Sequence, residues 1–442
     1  MVNAIYAAII LLLPILLMGL LKLDLALTAL LTLGWTLVAV AAAQPPQNIA
    51  EIMLPGLKTG LEIVLLVFAA KVFYEVYEEG GYKTQLEKAI KREKGSAITL
   101  ALAVYFSAFL ETVSGFGVPV AVVAPMLVGL EVDPFIAVTV TMMGHSWGVP
   151  FASMGVPTLV LVELTGQPAK PIFTYTAWLM TPPLLIIAAI AAKKLEAPRK
   201  TLTAALALAP ALSITALTGP VAGTTAALIG FTGLLLQEKM SIKEVFKNLA
   251  PYLLLSTLLL TVSVLGLSGL IVSSICMLSL GVLYGAKSGL TKILAKSLAG
   301  LPRTALTIIS FTVVASLAGG SGLMTSLAKV LAEIAGPFYA LAIPIVGVIG
   351  TYITGSNTAS NIIFSVLQAS YAQLAGLDPA IILALQNVGG GLGSMISPAK
   401  IAVGTSTTHA KNIEPEVFRE TLKIIWITIL PLILISAYIA NR

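Results

Sequence analysis

Residues 98–130 read ITLALAVYFSAFLETVSGFGVPVAVVAPMLVGL, with Ser114, Gly115, Phe116 and Gly117 followed by Pro119 at the centre. About 20 apolar residues cross ~30 Å of hydrocarbon, so this stretch is too long and too interrupted for one simple helix. Either it crosses once, or it enters, turns at SGFG and leaves by the side it entered. The choice decides the fold, because it sets the side on which every later loop falls.

The composition settles the surroundings. The 442-residue chain is 57% hydrophobic and 10% charged, against roughly 25% charged in soluble domains, which makes it an all-α polytopic membrane protein. Ala4 to Leu21, Leu25 to Ala43, Pro251 to Leu267 and Ile424 to Ala440 are each long enough to span. The first run lacks the basic flank and small-residue cleavage site of a removable signal and reads as a retained helix. The net charge of +6 resides in short loops, where it reports topology and requires no nucleic-acid partner. The lone Cys276 excludes an intrachain disulfide.

Loops Lys83 to Lys94, Lys193 to Lys200 and Lys287 to Lys296 are basic, and Glu238 to Lys247 is mixed. The positive-inside rule assigns all four to the cytoplasm. Helices at 4–21, 24–43 and 52–79 then start outside and deliver Lys83 inside. If 97–130 crossed, the later basic loops would fall on the wrong side; as a re-entrant hairpin it lets 134–165 cross outward and 170–192 return. The pairs 201–217 with 221–237 and 250–267 with 268–285 follow, and 299–320 ends outside. A second hairpin at 338–372 then lets 379–407 cross inward to the loop from His409 to Lys423, and 419–441 ends outside. The count is about twelve transmembrane helices and two re-entrant hairpins, in a cell membrane, with both termini outside.

The same order of parts occurs twice. Ser114-Gly115 precedes Asp133-Pro134 and Ala152-Ser-Met-Gly-Val-Pro157; Thr354-Gly355 precedes Asp378-Pro379 and Gly393-Ser-Met-Ile-Ser-Pro398. Segments from Tyr82 to Glu93 and from Ser321 to Ala335 both read as amphipathic surface helices. One hairpin opens inward and the other outward, so residues 24–192 and 250–441 form inverted repeats joined by connecting helices at 193–249, within one integral membrane unit at 1–441. That is a transporter architecture.

The hairpin at 338–372 turns at GSNTASN, residues 355–361. An unpaired polar group in lipid costs several kcal/mol, roughly, so small hydroxyls and glycines there point to backbone that borders a cavity and holds a ligand. The helix starting after the break presents a partial positive charge, which suits a carboxylate. The crossings at 134–165 and 379–407 are expected to break through Gly148-Val-Pro150 to Gly155-Val-Pro157 and through Gly389-Gly-Gly391 to Ser397-Pro398, freeing polar groups near mid-membrane; simple kinking is the alternative. Candidate substrate ligands are therefore Ser114, Gly115 and Gly117 at the first tip and Ser356, Asn357, Thr358 and Asn361 at the second, with Ser146, Asn387 and Ser394 near the breaks. Lys400 could offer an anion a cation, although its half-helix distance from the cytoplasmic loop also suits snorkelling. Glu111 is the leading proton carrier, with a permanently paired acid as alternative; His145 and Glu62 are further candidates.

No metal-ligand cluster and no GxxxxGK[ST] phosphate loop is present, so neither a cofactor nor ATP is expected and an ion gradient must supply the energy. Ser146 beside His145 lacks a third partner for hydrolysis, and an enzyme is not expected.

At these motifs the chain resembles the L-lactate permease family. Phe109-Leu-Glu111 with Ser114-Gly-Phe-Gly-Val-Pro-Val120 resembles that family's FLEGAAGFGAPVA, and Thr354 to Asn361 resembles TGSDTSSN. Phe364 with Leu367-Gln368 is similar to the F..LQ that follows, and Asn387 to Pro398 is similar to NTTGGVTGKMISP. The resemblance implies proton-coupled uptake of lactate, glycolate and related 2-hydroxy monocarboxylates. It also implies membership of the wider ion-transporter superfamily, whose hairpin-containing carriers often form homodimers, move as elevators and in one group hold sodium at Ser-Asn-Thr tips. Two departures lie where substrate or coupling ion would bind: Asn357 replaces an acidic residue, and the segment from His145 to Pro157 replaces NTAPVAFGAMGIP. A sodium-coupled carboxylate carrier, or an anion channel, remains as an alternative.

Overall fold

The structure is a computed structural model of the 442-residue chain. It describes every residue except 20, 22, 44–48, 83, 86–87, 89–94, 115–117, 238–246, 249, 252, 256, 259–260, 263–264, 266–269, 286–288, 300, 409–412 and 442. Among the described residues every regular element is a helix, as a chain in hydrocarbon requires when each backbone group must find its partner internally. Among the described residues eight helical stretches are long and apolar enough to cross a bilayer, or ten if each of two bent pairs counts as one span. The expected span at 250–267 lies partly, and the surface helix expected from Tyr82 to Glu93 largely, outside the described residues.

The long helix Ile49–Glu79 lies along Leu301–Gly320 and Leu270–Gly285. Its contact with Leu301–Gly320 is built on Gly56 and Gly60, one turn apart: a Cβ on Gly56 would meet the Thr312 carbonyl oxygen at 2.6 Å. Small residues so spaced let two backbones approach closely, and Ser316 Oγ donates to the Ile52 carbonyl across the seam at 2.5 Å.

Two segments fold back on themselves. Ser96–Leu100 continues through a π-helical stretch, Ala101–Phe106, into Ser107–Ser114; after residues 115–117 the helix Val118–Gly129 returns against Ala101–Phe106. Likewise Ile343–Thr354 turns at Gly355 into Asn357–Leu374, and Ser360 Oγ lies 3.5 Å from the Gly347 carbonyl of the opposite arm. The stretch Arg199–Leu235 also doubles back, at Gly219 (φ +61°), bringing Thr201 Oγ1 within 3.5 Å of Gln237.

Each folded-back pair is followed by a short link and an interrupted helix of the same local construction. Asp133 caps Pro134–Ser146 by accepting from Ile136 N–H at 3.1 Å, and Asp378 caps Pro379–Gly393 by accepting from Ala380 N–H at 2.8 Å. Proline stands at the first helical position in both, where its missing N–H costs nothing. Each helix then gives way to a 3₁₀ turn, Val149–Phe151 or Ser394–Ile396, before Ala152–Thr165 or Pro398–Thr407.

The break expected through Gly389 to Pro398 falls in the second half of that stretch, at Ser394–Ser397. The run Gly389 to Gly391 does not break its helix, which continues regularly to Gly393. These glycines admit the neighbouring arm instead: a Cβ on Gly389 would clash with the Pro344 backbone, and one on Gly390 would clash with Asn357 Oδ1. Glycine weakens helices in isolation, but close packing on both sides holds this one.

Candidate functional site

The turn of the second folded-back pair is assembled by short-range hydrogen bonds. Gly355 adopts the left-handed conformation (φ +69°) and donates its N–H to the Thr351 carbonyl at 2.8 Å, the glycine-terminated helix end. Ser356 is extended (φ −141°) and caps the next helix, its Oγ accepting from Ala359 N–H at 3.3 Å. Thr354 Oγ1 accepts the Ser356 N–H at 3.2 Å. The helix Asn357–Leu374 therefore begins at a sharp corner, and its first residues, Asn357 and Thr358, border a cavity of about 440 Å³.

That cavity falls within the range of ligand pockets, roughly 300–1,000 Å³. Its walls come from both folded-back pairs and both interrupted helices: Glu111, Val149, Ala152, Ser153, Gly355 to Ala359 and Lys400. Asp24 and Arg303 mark its open end, 3.5 Å apart and with side chains 46% and 78% exposed.

At the inner end are the charges. Lys400 Nζ lies 3.4 Å from Glu111 Oε1 and donates to Ser394 Oγ at 2.6 Å. His145 Nε2 is 3.3 Å from Lys400 Nζ and 3.1 Å from Ser394 Oγ. Its Nδ1 faces the Thr141 carbonyl at 3.1 Å; a carbonyl can only accept, so Nδ1 carries the ring proton and Nε2 is the acceptor. The Glu111 and Lys400 side chains are only 2% and 11% exposed. The snorkelling reading of Lys400 is thereby corrected: burial against Glu111, His145 and Ser394 turns its ammonium inward, away from the loop.

Behind the turn lies a network of amides. Asn387 Oδ1 accepts from Asn357 Nδ2 and Asn361 Nδ2, both at 2.9 Å, and its own Nδ2 donates to Thr158 Oγ1 at 2.8 Å. Asn361 also donates to the Pro157 carbonyl at 2.9 Å. The turn is thus locked to both interrupted helices by buried polar contacts, whose loss is expensive.

The sequence-nominated residues separate into groups. Glu111, Ser356, Asn357, Thr358 and Lys400 line the cavity; Ser394 and His145 brace Lys400, and Asn361 and Asn387 brace the turn. Ser146 is buried and donates to the Met143 carbonyl at 2.6 Å, apart from the cavity lining. Glu62 also stands apart, 4.0 Å from Lys58 one turn away. The Ser114 side chain, Gly115 and Gly117 lie outside the described residues. The reading missed Ser153, which lines the cavity within three successive left-handed residues, Ser153 (φ 47°), Met154 (φ 58°) and Gly155 (φ 91°). Such backbone is strained in non-glycine residues and collects at functional sites. The available signal was its alignment with Ser394 in the repeated motif.

Comparison with known proteins adds the following. The family model described as L-lactate permease matches residues 3–265 and 201–440. The L-lactate permease of Bacillus subtilis (strain 168) is 25% identical over 421 residues, covering 73% of this chain and 75% of that protein. The glycolate permease GlcA of Escherichia coli (strain K12) is 26% identical over 444 residues, covering 77% and 78%. Two solved structures share the fold: Neisseria gonorrhoeae MtrF, described with a class of antimetabolite efflux pumps, at TM-score 0.55, 12% identity and 94% of both chains, and the Alcanivorax borkumensis YdaH transporter at TM-score 0.57, 13% identity and 94% and 98% of the two chains. At those identities the likeness concerns the fold alone.

Proposed function

The chain belongs to the L-lactate permease family, and from that premise we propose that it carries lactate, glycolate and related 2-hydroxy monocarboxylates across the cell membrane as a proton-coupled symporter. The observation that carries this reading is a buried Lys400–Glu111 pair on the wall of a cavity that the N-terminus of Asn357–Leu374 also borders. A lysine and a helix N-terminus attract a carboxylate, hydroxyls at Ser153, Ser356 and Thr358 suit a 2-hydroxyl group, and an intramembrane acid can take up and release a proton.

The cargo is a small monocarboxylate, and the residues at Ser114, Gly115 and Gly117 would complete the site from the first tip. Inverted repeats at 24–192 and 250–441, joined through 193–249, would supply alternating access, with about twelve crossings and two re-entrant hairpins. The recurrence of an Asp-Pro cap, a helix and a 3₁₀ interruption supports the repeat. Elevator movement and a homodimer rest on the family resemblance. On the charge distribution both termini are outside and the Asp24–Arg303 end of the cavity faces the cytoplasm. Three ion pairs support the grouping of these segments on one side, Lys194–Glu420, Lys296–Glu75 and Arg303–Asp24; the basic loops assign that side to the cytoplasm.

The test is uptake of labelled lactate into reconstituted liposomes under separately imposed proton and sodium gradients, with competing acids. Accumulation driven by an acid-outside gradient and competed by glycolate is expected. Sodium-driven accumulation would replace the coupling ion, and purely downhill flux would replace the carrier with a channel.

A further inference from the structure

We propose that Lys400 is the counter-charge for the substrate carboxylate and that Glu111 occupies it until protonated, so that one proton and one anion must enter the cavity together. This rests on reading the cavity as the site of a carboxylate carrier. Two groups of opposite sign, both nearly sealed from solvent and 3.4 Å apart, form a neutral unit. Removing one charge of such a buried pair is strongly unfavourable.

The consequence is a rule about charge. With the cavity empty, Glu111 carboxylate and Lys400 ammonium sum to zero. When a proton adds to the Glu111 carboxylate, the acid no longer holds the ammonium, and an N–H of Lys400 turns to the incoming carboxylate; lysine, protonated acid and anion again sum to zero. Protonated Glu111 without an anion leaves a lone cation, and a bound anion beside ionised Glu111 leaves a net negative charge. Both are disfavoured in a low-dielectric site. Release reverses the steps, the proton leaving Glu111 as Lys400 returns to it. Transport is therefore one-to-one and electroneutral.

Among the described residues, Glu111 is the carboxylate that Lys400 meets, and Tyr105, on Ala101–Phe106, donates to the Ala205 carbonyl at 2.7 Å. His145, on Pro134–Ser146, presents its acceptor nitrogen to Lys400 and braces the ammonium together with Ser394. Val118–Gly129, Ala222–Leu235 and the Val149–Phe151 turn pack against Ser107–Ser114 without an ionisable side chain. Ile49–Glu79 and Ala152–Thr165 turn Val67 and Val156 to the cavity, while their Glu62 and Glu163 face each other elsewhere beside Lys58. Asp24 and Arg303 stand at the open end, paired with each other.

The experiment measures lactate binding to the purified full-length protein as a function of pH, and uptake into liposomes. Linkage to one proton makes wild-type affinity fall about tenfold per pH unit once Glu111 is ionised in the empty site. Glu111→Gln should bind lactate with no pH dependence and lose acid-driven accumulation. The double variant Glu111→Gln with Lys400→Met, which leaves neither partner charged and so avoids a lone buried charge, should bind about tenfold or more weakly than Glu111→Gln alone. An imposed membrane potential at equal pH should leave wild-type uptake unchanged. A pH slope that persists in Glu111→Gln, a double variant that binds as well as the single, or potential-driven uptake each overturns the exchange while leaving the carrier reading intact. A wild-type protein that neither binds nor transports lactate or glycolate at any pH overturns both.

Discussion

Asn387 directs its whole amide inward, accepting from Asn357 and Asn361 and donating to Thr158, with a longer contact to Thr176 at 3.3 Å. Asn387→Ala leaves buried donors without their acceptor at a cost of about 1–3 kcal/mol each, so the detergent-solubilised variant should unfold at lower temperature and bind lactate more weakly. Gly355 makes a different point. Among the described residues a Cβ there meets only Ser397 Oγ, at an ordinary 3.8 Å, and the obstacle they present to Gly355→Ala is conformational. The left-handed backbone at φ +69° disfavours alanine by about 1–2 kcal/mol. The turn relieves that strain by shifting the amides of Asn357 and Thr358, so titration calorimetry should register a loss of lactate affinity.

Among the elements, the two Asp-Pro caps are equivalent in construction, and each aspartate satisfies an N–H that its helix leaves open. Asp133→Ala and Asp378→Ala should each destabilise the protein by about 1 kcal/mol, visible as similar small drops in melting temperature; a drop at one site alone would mean that the two interrupted helices are not built alike. The Asp-Pro pairs were legible in the sequence as markers of a repeated order, whereas their role as caps emerged from the structure, where each aspartate accepts an N–H of the helix it precedes. The breaks were only partly legible. Gly148 to Pro157 does interrupt its helix, whereas Gly389 to Gly391 does not. Glycine permits both a break and a close approach, and the neighbouring helix Ile343–Thr354 selects the second.

For the whole molecule, the cavity's open end at Asp24 and Arg303 combines with the basic loops to give an orientation that can be measured. In a Cys276→Ser background, a cysteine at Thr304, which lines the cavity, should react with a membrane-impermeant maleimide in inside-out vesicles and not in intact cells. A cysteine at Ser356 should react from that same side and more slowly in the presence of lactate. Labelling of Thr304→Cys from outside would reverse the assigned orientation.

Composition and hydrophobic run length determined by themselves that this chain lives in a membrane as helices, since lipid admits few other answers. The motifs at 111–117, 354–361 and 394–398 likewise marked which stretches carry polar groups that a bilayer would otherwise exclude. Only the tertiary structure decided which of those groups meet. Glu111 and Lys400 are 289 residues apart, and a lysine half a helix from a loop has two outlets, water or a buried acid, between which local sequence does not choose. Packing closed the first by seating Lys400 against Glu111, Ser394 and His145, because a charge turned into a protein core needs a partner that only the folded chain brings within reach.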